Sequence, residues 1–409
     1  MKRRTYLLYL LLLGSLLLAA CGQAAVAPTS PAATVQATSP AATAVPTAPA
    51  AGASGLVGRY VLPDDPFRQL DLAPDGWVYW PDNYGTYSVV GDQITFVKVY
   101  DCTEPGVYRW SLDGATLKLE KVEDVCTWRW NFALGLLAKQ PAAPYVEVEW
   151  LTHGQGFSTS AVDAQGNTYA VSQDSKTLTK LSPDGTVLAT LGGPGTGEGQ
   201  FVTPGGAAVD SLGSLYAADL GGVRIEKFDA SGEYVTSFKP QASPGPLGVA
   251  VDRQDNVYVT LNGPQDHFVE KWSPEGTLLT TWGTNGSGDG QFSAETAGSG
   301  PRGIAVDAEG NVWVTDPENN RVQKFDANGT FLLSLSGDGA HDFLWPFSVG
   351  IDGRGTLFVV DGAGQLFSFD GEGTPAGFWL APLGASVRFD GQGNLFMLMA
   401  GDLAKITLP

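Results

Sequence analysis

The chain has 409 residues, which is more than one typical domain needs, so its length predicts two domains. Only 16% of the residues are charged, 11% are aromatic, and 53 glycines and 26 prolines provide turns, a composition typical of an all-β protein. The net charge of −19 argues against nucleic acid or an anionic membrane surface as a direct partner of the folded part.

The first 21 residues predict an export signal. Residues 1–4 are basic, and the apolar run at residues 6–20 is shorter than a typical membrane-spanning helix. The run ends in Leu-Ala-Ala followed by Cys21, which resembles the signal of bacterial lipoproteins. That resemblance implies acylation of Cys21 and a lipid anchor in the bacterial cell envelope, outside the cytoplasm; cleavage there leaves a net charge of −22. The alternative is an ordinary signal peptide with a chance cysteine.

Residues 22–55 predict a disordered tether. They contain only Ala, Pro, Thr, Ser, Val, Gly and Gln, carry no charge and offer too little apolar surface for a core. Because prolines are frequent, we expect a semi-extended segment that holds the folded part away from a membrane or cell wall.

Residues 56–139 predict a small antiparallel β-barrel or sandwich, because alternating apolar and polar residues are separated by tight-turn motifs. The segments GTYSVVGDQITF and GVYRWSLDGATLKLEKV resemble the lipocalin-like small barrels of bacterial surface proteins. That resemblance implies room for a small apolar ligand. The side chains that could line such a cavity are Trp77, Tyr79, Trp80, Trp110, Trp128 and Trp130. The alternative is that these aromatic side chains simply fill the barrel.

Two cysteines, Cys102 and Cys126, remain after Cys21. An even remainder in an exported chain predicts a disulfide. The bond would close a loop of about 25 residues and stabilise the fold by roughly 3 kcal/mol. A metal pair is disfavoured, since no histidine lies near either cysteine in the sequence.

Residues 145–409 repeat a β-rich unit. An aspartate follows an apolar strand at six places, 38 to 55 residues apart: Asp163, Asp210, Asp252, Asp307, Asp352 and Asp390. A Gly/Asn turn and further apolar strands follow each aspartate. A period in the forties with a β pattern predicts a propeller rather than a helical solenoid.

The clearest copy of the unit occupies residues 301–325. It reads Pro-x-Gly-Ile-Ala-Val-Asp, then Gly-Asn-Val-Trp-Val-Thr-Asp, then Asn-Asn-Arg-Val-Gln-Lys-Phe. Spacers ending in Gly-Gln-Phe, at residues 199–201 and 290–292, lead toward the next proline. These motifs resemble the NHL family, and six copies imply a six-bladed β-propeller. The Asn-Asn-Arg motif is intact only at residues 319–321, although Arg224 matches its arginine.

The number of strands predicts how the ring closes. Five units carry four strands, whereas the sixth ends after three. Residues 145–151 form a spare strand with alternating apolar positions, just before the first unit. We expect this strand to be the outer strand of the sixth blade, because an open propeller would expose two blade faces. A seven-bladed ring is the less favoured alternative.

The six aspartates are predicted to be turn caps. Each stands where the first strand of its unit ends, and Asp side chains cap such turns by accepting backbone N–H bonds. A single active centre needs asymmetry, which a residue present in every unit does not provide. Residues 307–311 also lack the ligand spacing of a calcium-binding EF-hand loop.

A divalent-metal enzyme is the main alternative to a binding protein. The NHL resemblance includes zinc-dependent lyases that use histidines, and related six-bladed propellers are calcium-dependent lactonases. Here His153, His267 and His341 occupy three different repeat positions, so no histidine-built zinc site is predicted. A calcium site built from carboxylates stays open. The sequence predicts no catalytic residue and, apart from that calcium, no cofactor.

The resemblance places one residue per unit, between the proline and the glycine, at the mouth of the central channel. These residues are Ser158, Gly205, Leu247, Arg302 and Phe347, with Leu383 or Ala385 as the sixth. Arg302 could anchor a peptide or an anion, and an insertion at residues 293–300 would project beside it. The alternative is a channel filled by water and neighbouring side chains. The predicted function is non-catalytic binding of a protein, peptide or glycan at the cell surface; a purely structural spacer is a third hypothesis.

Overall fold

The structure is a computed structural model. It describes residue 56 and residues 58–408, except for residues 63–64, 73–76, 81–82, 98–104, 114–115, 125–135, 140–146, 153–155, 241–244, 263–268, 294–299, 381–385, 391 and 400. The export signal, the tether, Cys21, Cys102 and Cys126 lie outside these residues. The prediction of an all-β protein is confirmed, since the described residues form strands and one short 3-10 helix, η1 (Pro317–Asn319). In this part of the chain no helix is long and apolar enough to span a membrane.

Eight strands form the first sheet. They are β1 (Gly58–Leu62), β2 (Asp65–Leu72), β3 (Trp77–Trp80), β4 (Asn83–Val90), β5 (Gln93–Val97), β6 (Gly106–Asp113), β7 (Thr116–Glu123) and β8 (Leu136–Lys139). Each strand pairs with the next in the chain, and β1 pairs antiparallel with β8, so the sheet closes into a barrel.

Apolar side chains fill the described interior of the barrel. Tyr60, Ile94, Phe96 and Tyr108 are fully buried there. Trp110 is half-buried against this core, and its Nε1 donates to Gly91 O at 3.2 Å. The Trp110 side chain therefore packs against the barrel core as part of the barrel wall. The side chains of Trp77, Tyr79 and Trp80, like Trp128 and Trp130, lie outside the described part, so the ligand-cavity hypothesis stays a prediction for them.

The rest of the chain forms six four-stranded antiparallel sheets, here called blades 1 to 6. The strand β9 (Glu147–Trp150) comes first, and blade 1 follows with β10 (Thr159–Val162), β11 (Thr168–Ser172), β12 (Thr177–Leu181) and β13 (Val187–Gly192). Blade 2 has β14 (Pro204–Val209), β15 (Leu215–Asp219), β16 (Arg224–Phe228) and β17 (Tyr234–Phe238). Blade 3 has β18 (Gly245–Val251), β19 (Val257–Asn262), β20 (Val269–Trp272) and β21 (Leu278–Trp282). The short strands β22 (Thr284–Asn285) and β23 (Gln291–Phe292) pair in parallel. Blade 4 has β24 (Ile304–Val306), β25 (Val312–Asp316), β26 (Arg321–Phe325) and β27 (Phe331–Leu335); blade 5 has β28 (Ser348–Ile351), β29 (Leu357–Val360), β30 (Gln365–Phe369) and β31 (Pro375–Leu380). Blade 6 has β32 (Ser386–Phe389), β33 (Leu395–Met399) and β34 (Asp402–Thr407), with β9 as its fourth strand.

The first strand of each blade, its inner strand, contacts the inner strands of both neighbouring blades, and β32 contacts β10. The six blades thus form a closed ring. The outer strand of blade 6 is β9, in which Glu149 pairs with Lys405 and Val148 with Ile406 of β34. The prediction that the spare strand completes the sixth blade is confirmed.

The core of the ring lies between neighbouring blades. Tyr216 and Ala218 of blade 2 pack with Val249 and Val257 of blade 3 in one buried cluster. Along each strand, successive side chains point to opposite faces of the sheet. Each sheet therefore contributes side chains to two cores, one shared with each neighbouring blade. This arrangement explains why the second strand of each blade reads as a continuous apolar run.

The inner strands approach one another closely at the end where they begin. A Cβ atom on Gly248 would lie 2.2 Å from Arg302 O of the next blade, and one on Gly303 would lie 2.8 Å from Phe347 O. Thr260 Oγ1 accepts the Gly248 N–H at 2.8 Å and donates to Arg302 O at 2.9 Å. The Pro-x-Gly motif therefore needs its glycine, because the carbonyl of the next blade occupies the place of a side chain.

Candidate functional site

Each of the six repeated aspartates caps the turn that follows its inner strand. Asp307 Oδ1, for example, accepts the N–H groups of Glu309 at 3.1 Å and of Asn311 at 2.7 Å. The same two bonds, from the second and fourth residues after the aspartate, form in the other five blades. The interpretation of these aspartates as turn caps is confirmed.

A lysine and an aromatic ring support these caps in blades 1 to 4. The lysine Nζ lies 4.8 to 5.0 Å from the ring centre in four pairs: Lys180–Tyr169, Lys227–Tyr216, Lys271–Tyr258 and Lys324–Trp313. Lys324 Nζ also lies 3.6 Å from Asp307 Oδ2 and donates to Gly371 O of blade 5 at 2.6 Å. The cation thus neutralises a cap and ties two blades together. These lysines are not among the residues predicted from the sequence, although each stands directly before the large apolar residue that ends its third strand.

A cavity of about 620 Å³ opens beside the aspartate turns of blades 1 to 5. Its acidic lining residues are Asp163, Asp210, Asp252, Asp255, Asp307, Glu309, Asp352 and Glu372. Its basic lining residues are Arg253, Lys324 and Arg354. The cap carboxylates already accept backbone N–H bonds, which uses much of their capacity to bind a ligand. Across the described residues, no group of three or more His, Cys, Asp or Glu side chains is placed to hold a metal ion.

The opposite end of the inner strands carries an aromatic and charged cluster. The Arg302 guanidinium lies over the indole of Trp345, with Cζ 4.5 Å from the ring centre. The ring centre of Phe347 is 6.5 Å from that of Trp345. Glu318 completes the group, because Trp345 Nε1 donates to its Oε1 at 3.5 Å. These four residues are called the entrance cluster below.

All four residues of the entrance cluster are half-buried. Burial lowers the pKa of Arg302, while Glu318 acts in the opposite direction. An arginine stays charged at neutral pH in proteins. A cation over an indole face, partly removed from water, is stabilised by about 1–2 kcal/mol. The cluster is therefore held in one arrangement before any partner arrives.

The backbone of Trp345 is strained. Its φ is 60°, in the left-handed region that bulky residues avoid, and it directly precedes Pro346. Asn320 Oδ1 accepts the Trp345 N–H at 2.7 Å, and Trp345 O accepts the Gly362 N–H at 3.1 Å. Such a conformation costs on the order of 1–3 kcal/mol and is concentrated at ligand clamps and active sites. The strain points to the entrance cluster as a candidate site.

The structure brings together only some of the predicted channel residues. Arg302 and Phe347 meet through Trp345. The Leu247 carbonyl lies 3.0 Å from where a Cβ on Gly205 would stand. Ser158 is exposed and donates to Val171 O within its own blade at 3.1 Å. Leu383, Ala385 and residues 294–299 lie outside the described part.

Trp345 is not among the residues predicted from the sequence. The signal was present, since Trp345 stands directly before Pro346 at the place where Thr203 precedes Pro204 in the earlier spacer. Its importance depends on a backbone angle and on Arg302, which is 43 positions away in the sequence. Repeat alignment alone treats this position as ordinary spacer.

The arginine of the Asn-Asn-Arg motif is a structural clamp. Arg321 Nε donates to Asp316 Oδ2 at 2.8 Å, and Nη1 donates to Ser287 O at 3.0 Å. Its Nη2 donates to Gly288 O at 2.9 Å and to Gln291 O at 2.7 Å. Arg321 therefore fixes the spacer that precedes blade 4, with three carbonyls in one guanidinium fork.

His341 is the histidine that the structure describes; His153 and His267 lie outside the described residues. Its Nδ1 lies 3.0 Å from Asp338 Oδ2, and its ring stacks on Phe378 with centres 3.9 Å apart. These contacts fix the spacer before blade 5. Their geometry is that of a packed surface pair.

Arg388 lies on inner strand β32, where blades 5, 6 and 1 meet. Its Nε donates to Ser160 O of blade 1 at 2.9 Å, and its Nη1 donates to Val349 O of blade 5 at 3.4 Å and to Val387 O at 2.7 Å. Burial lowers the pKa of Arg388 to about 10. The other blades have a small residue here: Ala161, Ala208, Ala250, Ala305 and Gly350. Arg388 is not among the residues predicted from the sequence, although an alignment of the six units on their aspartates shows it as the one large residue at this position.

Comparisons with known proteins support the repeat assignment. A family model described as NHL repeat matches residues 299–325. Protein brain tumor of Drosophila melanogaster is 28% identical over 143 residues, and NHL repeat-containing protein 3 of Homo sapiens is 27% identical over 128 residues. These segments cover 34% and 28% of this chain, and the chain spans 13% and 35% of those relatives.

A solved structure of a gluconolactonase from Xanthomonas campestris is similar with a TM-score of 0.48 at 20% identity. The similarity covers 66% of this chain and 98% of that one, and it is too weak to transfer an activity. Residues 147–407 thus form a ring of six four-stranded sheets, and one unit of that ring, at residues 299–325, matches the NHL repeat.

Proposed function

We propose that the chain is an exported, lipid-anchored protein whose propeller binds a protein partner without catalysis. The entrance cluster is the observation that carries this proposal. Tryptophan and arginine are concentrated at the energetic centres of protein interfaces, where they are desolvated and packed. In this chain Trp345 and Arg302 already contact each other, so a partner orders few additional side chains when it binds.

A protein suits the entrance cluster better than a small ligand does. The cavity of about 620 Å³ lies at the other end of the inner strands, so the cluster is a surface and does not line that cavity. Small-molecule sites are usually concave, whereas protein interfaces are enriched in aromatic residues and arginine. A peptide or a glycan is the alternative that the experiment below distinguishes.

A photo-reactive benzoylphenylalanine in place of Phe347 is expected to cross-link one protein when the full-length chain is expressed in its own cells. Adding Trp345→Ala should reduce that product at least tenfold, which corresponds to about 1.4 kcal/mol of binding energy. The matched control places the same photo-reactive residue at Arg354, whose side chain is 87% exposed at the opposite end of the strands. Equal products from both positions would contradict the proposal. A cross-linked product that is degraded by a glycosidase but not by a protease would also contradict the proposal.

The non-catalytic part of the proposal is checked on the same purified protein. After gel filtration without added metal, we expect the protein to hold no divalent ion at a ratio of one per chain. A tightly held stoichiometric calcium or zinc ion would contradict this part and favour a lyase-type or lactonase-type enzyme.

The anchor is proposed from Cys21 and is tested by cell fractionation. The Cys21→Ser variant is expected to move from the membrane fraction to the soluble exported fraction, because the thiol that carries the lipid is lost. The Cys102→Ser variant is the control and should stay in the membrane fraction. Unchanged membrane retention of Cys21→Ser would show that the protein is held in another way.

A further inference from the structure

Blades 2 and 4 share an arginine at the start of their third strand, but they differ two residues later. In blade 2, Arg224 pairs with Asp219 and Glu226 pairs with Ala217 across the β15–β16 ladder. In blade 4 the matching pairs are Arg321 with Asp316 and Gln323 with Val314. A glutamate in blade 2 thus occupies the position that a glutamine occupies in blade 4, and both side chains are fully buried.

The glutamine of blade 4 uses both ends of its amide to hold the preceding spacer. Gln323 Oε1 accepts the Gly290 N–H at 3.0 Å. Its Nε2 donates to Gln291 O at 2.7 Å and lies 3.5 Å from Asp316 Oδ2. This position therefore needs one acceptor and one donor. An amide supplies both at any pH.

The spacer of blade 2 has the same backbone arrangement. Arg224 donates to Thr196 O at 2.9 Å, to Gly197 O at 3.0 Å and to Gln200 O at 2.7 Å. These are the carbonyls that match the three bound by Arg321. Both spacers also contain a parallel pairing that ends at the phenylalanine after the glutamine. The two blades consequently form a matched pair that differs at the residue of interest.

An ionised Glu226 cannot supply the donor. Arg224 Nε lies 2.7 Å from Glu226 Oε1 and 3.5 Å from Asp219 Oδ2 as an ion pair, but among the described residues its N–H makes a hydrogen bond to neither carboxylate. Neither Asp219 Oδ2 nor Glu226 Oε2 makes a hydrogen bond within the described part of the chain. In blade 4, Asn319 and Gln323 supply the donors at this place, whereas blade 2 has Gly222 and Glu226. Blade 2 therefore lacks both side-chain donors of the blade 4 network, and a proton on Glu226 would restore one of them.

We propose that Glu226 is a proton-operated latch for the spacer at residues 193–201. Protonated Glu226 donates its O–H to Gln200 O or Asp219, as the Gln323 amide does in blade 4, and holds the spacer against the blade. Ionised Glu226 has no donor and faces a carbonyl and a second carboxylate, so the spacer loosens. Blade 3 also has a glutamate here, Glu270, but Trp272 Nε1 donates to it at 3.0 Å.

The charges around Glu226 agree with this latch. The pKa of Glu226 is raised to about 7, mainly by burial, and Asp219 on β15 and Glu198 on the spacer contribute in the same direction. Arg224 on the same strand and the Gly199 N–H of the spacer lower the pKa. The ordinary value is 4.5, so the folded state binds this proton more tightly than the unfolded state. The stabilisation is fully present below that value and is lost as the pH rises through about 7.

Hydrogen exchange measured by mass spectrometry on the full-length protein tests the latch. The spacer at residues 283–292, which Gln323 holds, is the internal control, because a ratio of protection factors cancels the intrinsic pH dependence of exchange. We expect the protection of residues 193–201 relative to residues 283–292 to fall about tenfold between pH 5.5 and pH 8.5.

Two reciprocal variants complete the test. Glu226→Gln should abolish the pH dependence of the ratio and keep the spacer at residues 193–201 protected at pH 8.5. Gln323→Glu should transfer the pH dependence to residues 283–292. A ratio that does not change with pH in the wild type, or a pH dependence that survives Glu226→Gln, would overturn the proposal. If Gln323→Glu impairs folding, the Glu226→Gln result alone decides.

Discussion

A disulfide between β9 and β34 is expected to raise the Tm of the propeller by about 10 °C. Glu149 and Lys405 are opposite each other on these antiparallel strands, at a Cα separation that a disulfide tolerates. The Glu149→Cys/Lys405→Cys bond would close a loop of about 250 residues, which stabilises the fold by ~5 kcal/mol in the chain-entropy model. Calorimetry of the oxidised and reduced double variant measures the effect.

A disulfide within one blade provides the control. Thr179 and Thr190 are partners on β12 and β13 of blade 1. Thr179→Cys/Thr190→Cys closes a loop of about ten residues, so the same model gives ~3 kcal/mol. The difference between the Tm increases of the two disulfide variants measures the contribution of ring closure. If the β9–β34 bond forms but oxidation leaves the Tm unchanged, the pairing of these strands does not limit unfolding.

Removal of the Arg388 side chain is expected to cost about 3 kcal/mol and to lower the Tm by about 6 °C. Two effects oppose each other at this residue. Burial penalises the guanidinium, and its lowered pKa shows that penalty. Against this, Arg388 makes charge-assisted bonds to carbonyls of blades 1, 5 and 6, each contributing about 1.5–3 kcal/mol. Three such bonds outweigh the burial, and Arg388→Ala leaves those carbonyls beside a cavity.

Thermal unfolding of Arg388→Ala and Arg354→Ala checks this balance. Arg354 is an exposed arginine of the same ring, so its truncation should change the free energy of unfolding by less than about 0.5 kcal/mol. Arg388→Lys should recover part of the loss, since a lysine keeps the charge but lacks the planar fork. A Tm for Arg388→Ala at or above that of the wild type would mean that the cost of burial dominates.

Features that recur in every unit could be predicted from the sequence. The six aspartates recur in every unit, and the spare strand at residues 145–151 follows from a count of strands; the structure shows the expected caps and the closing pair. The caps are the simplest case, because a turn cap needs only its own neighbours.

Features that depend on a contact between blades could not be predicted in this way. Trp345 acquires its role from Arg302 of the preceding blade and from a backbone angle that no propensity favours. Arg388 acquires its role from carbonyls in blades 1 and 5. The effect of Glu226 on its spacer becomes visible only beside Gln323 in a superimposed blade. Sequence periodicity averages over blades, so it hides single departures from the repeat such as these.

The close contact at the Pro-x-Gly entrances separates two kinds of position for evolution and for protein engineering. Gly206, Gly248 and Gly303 cannot carry a side chain without a shift, because the next blade's carbonyl occupies that space, whereas blades 1 and 5 have Thr159 and Ser348 at this place. The variable residue contributes that carbonyl through its backbone, so its side chain can change without moving the ring. Leu247, Arg302 and Phe347 are such positions. The propeller can therefore acquire a new binding specificity by substitutions at one face while its blade-to-blade geometry is inherited unchanged.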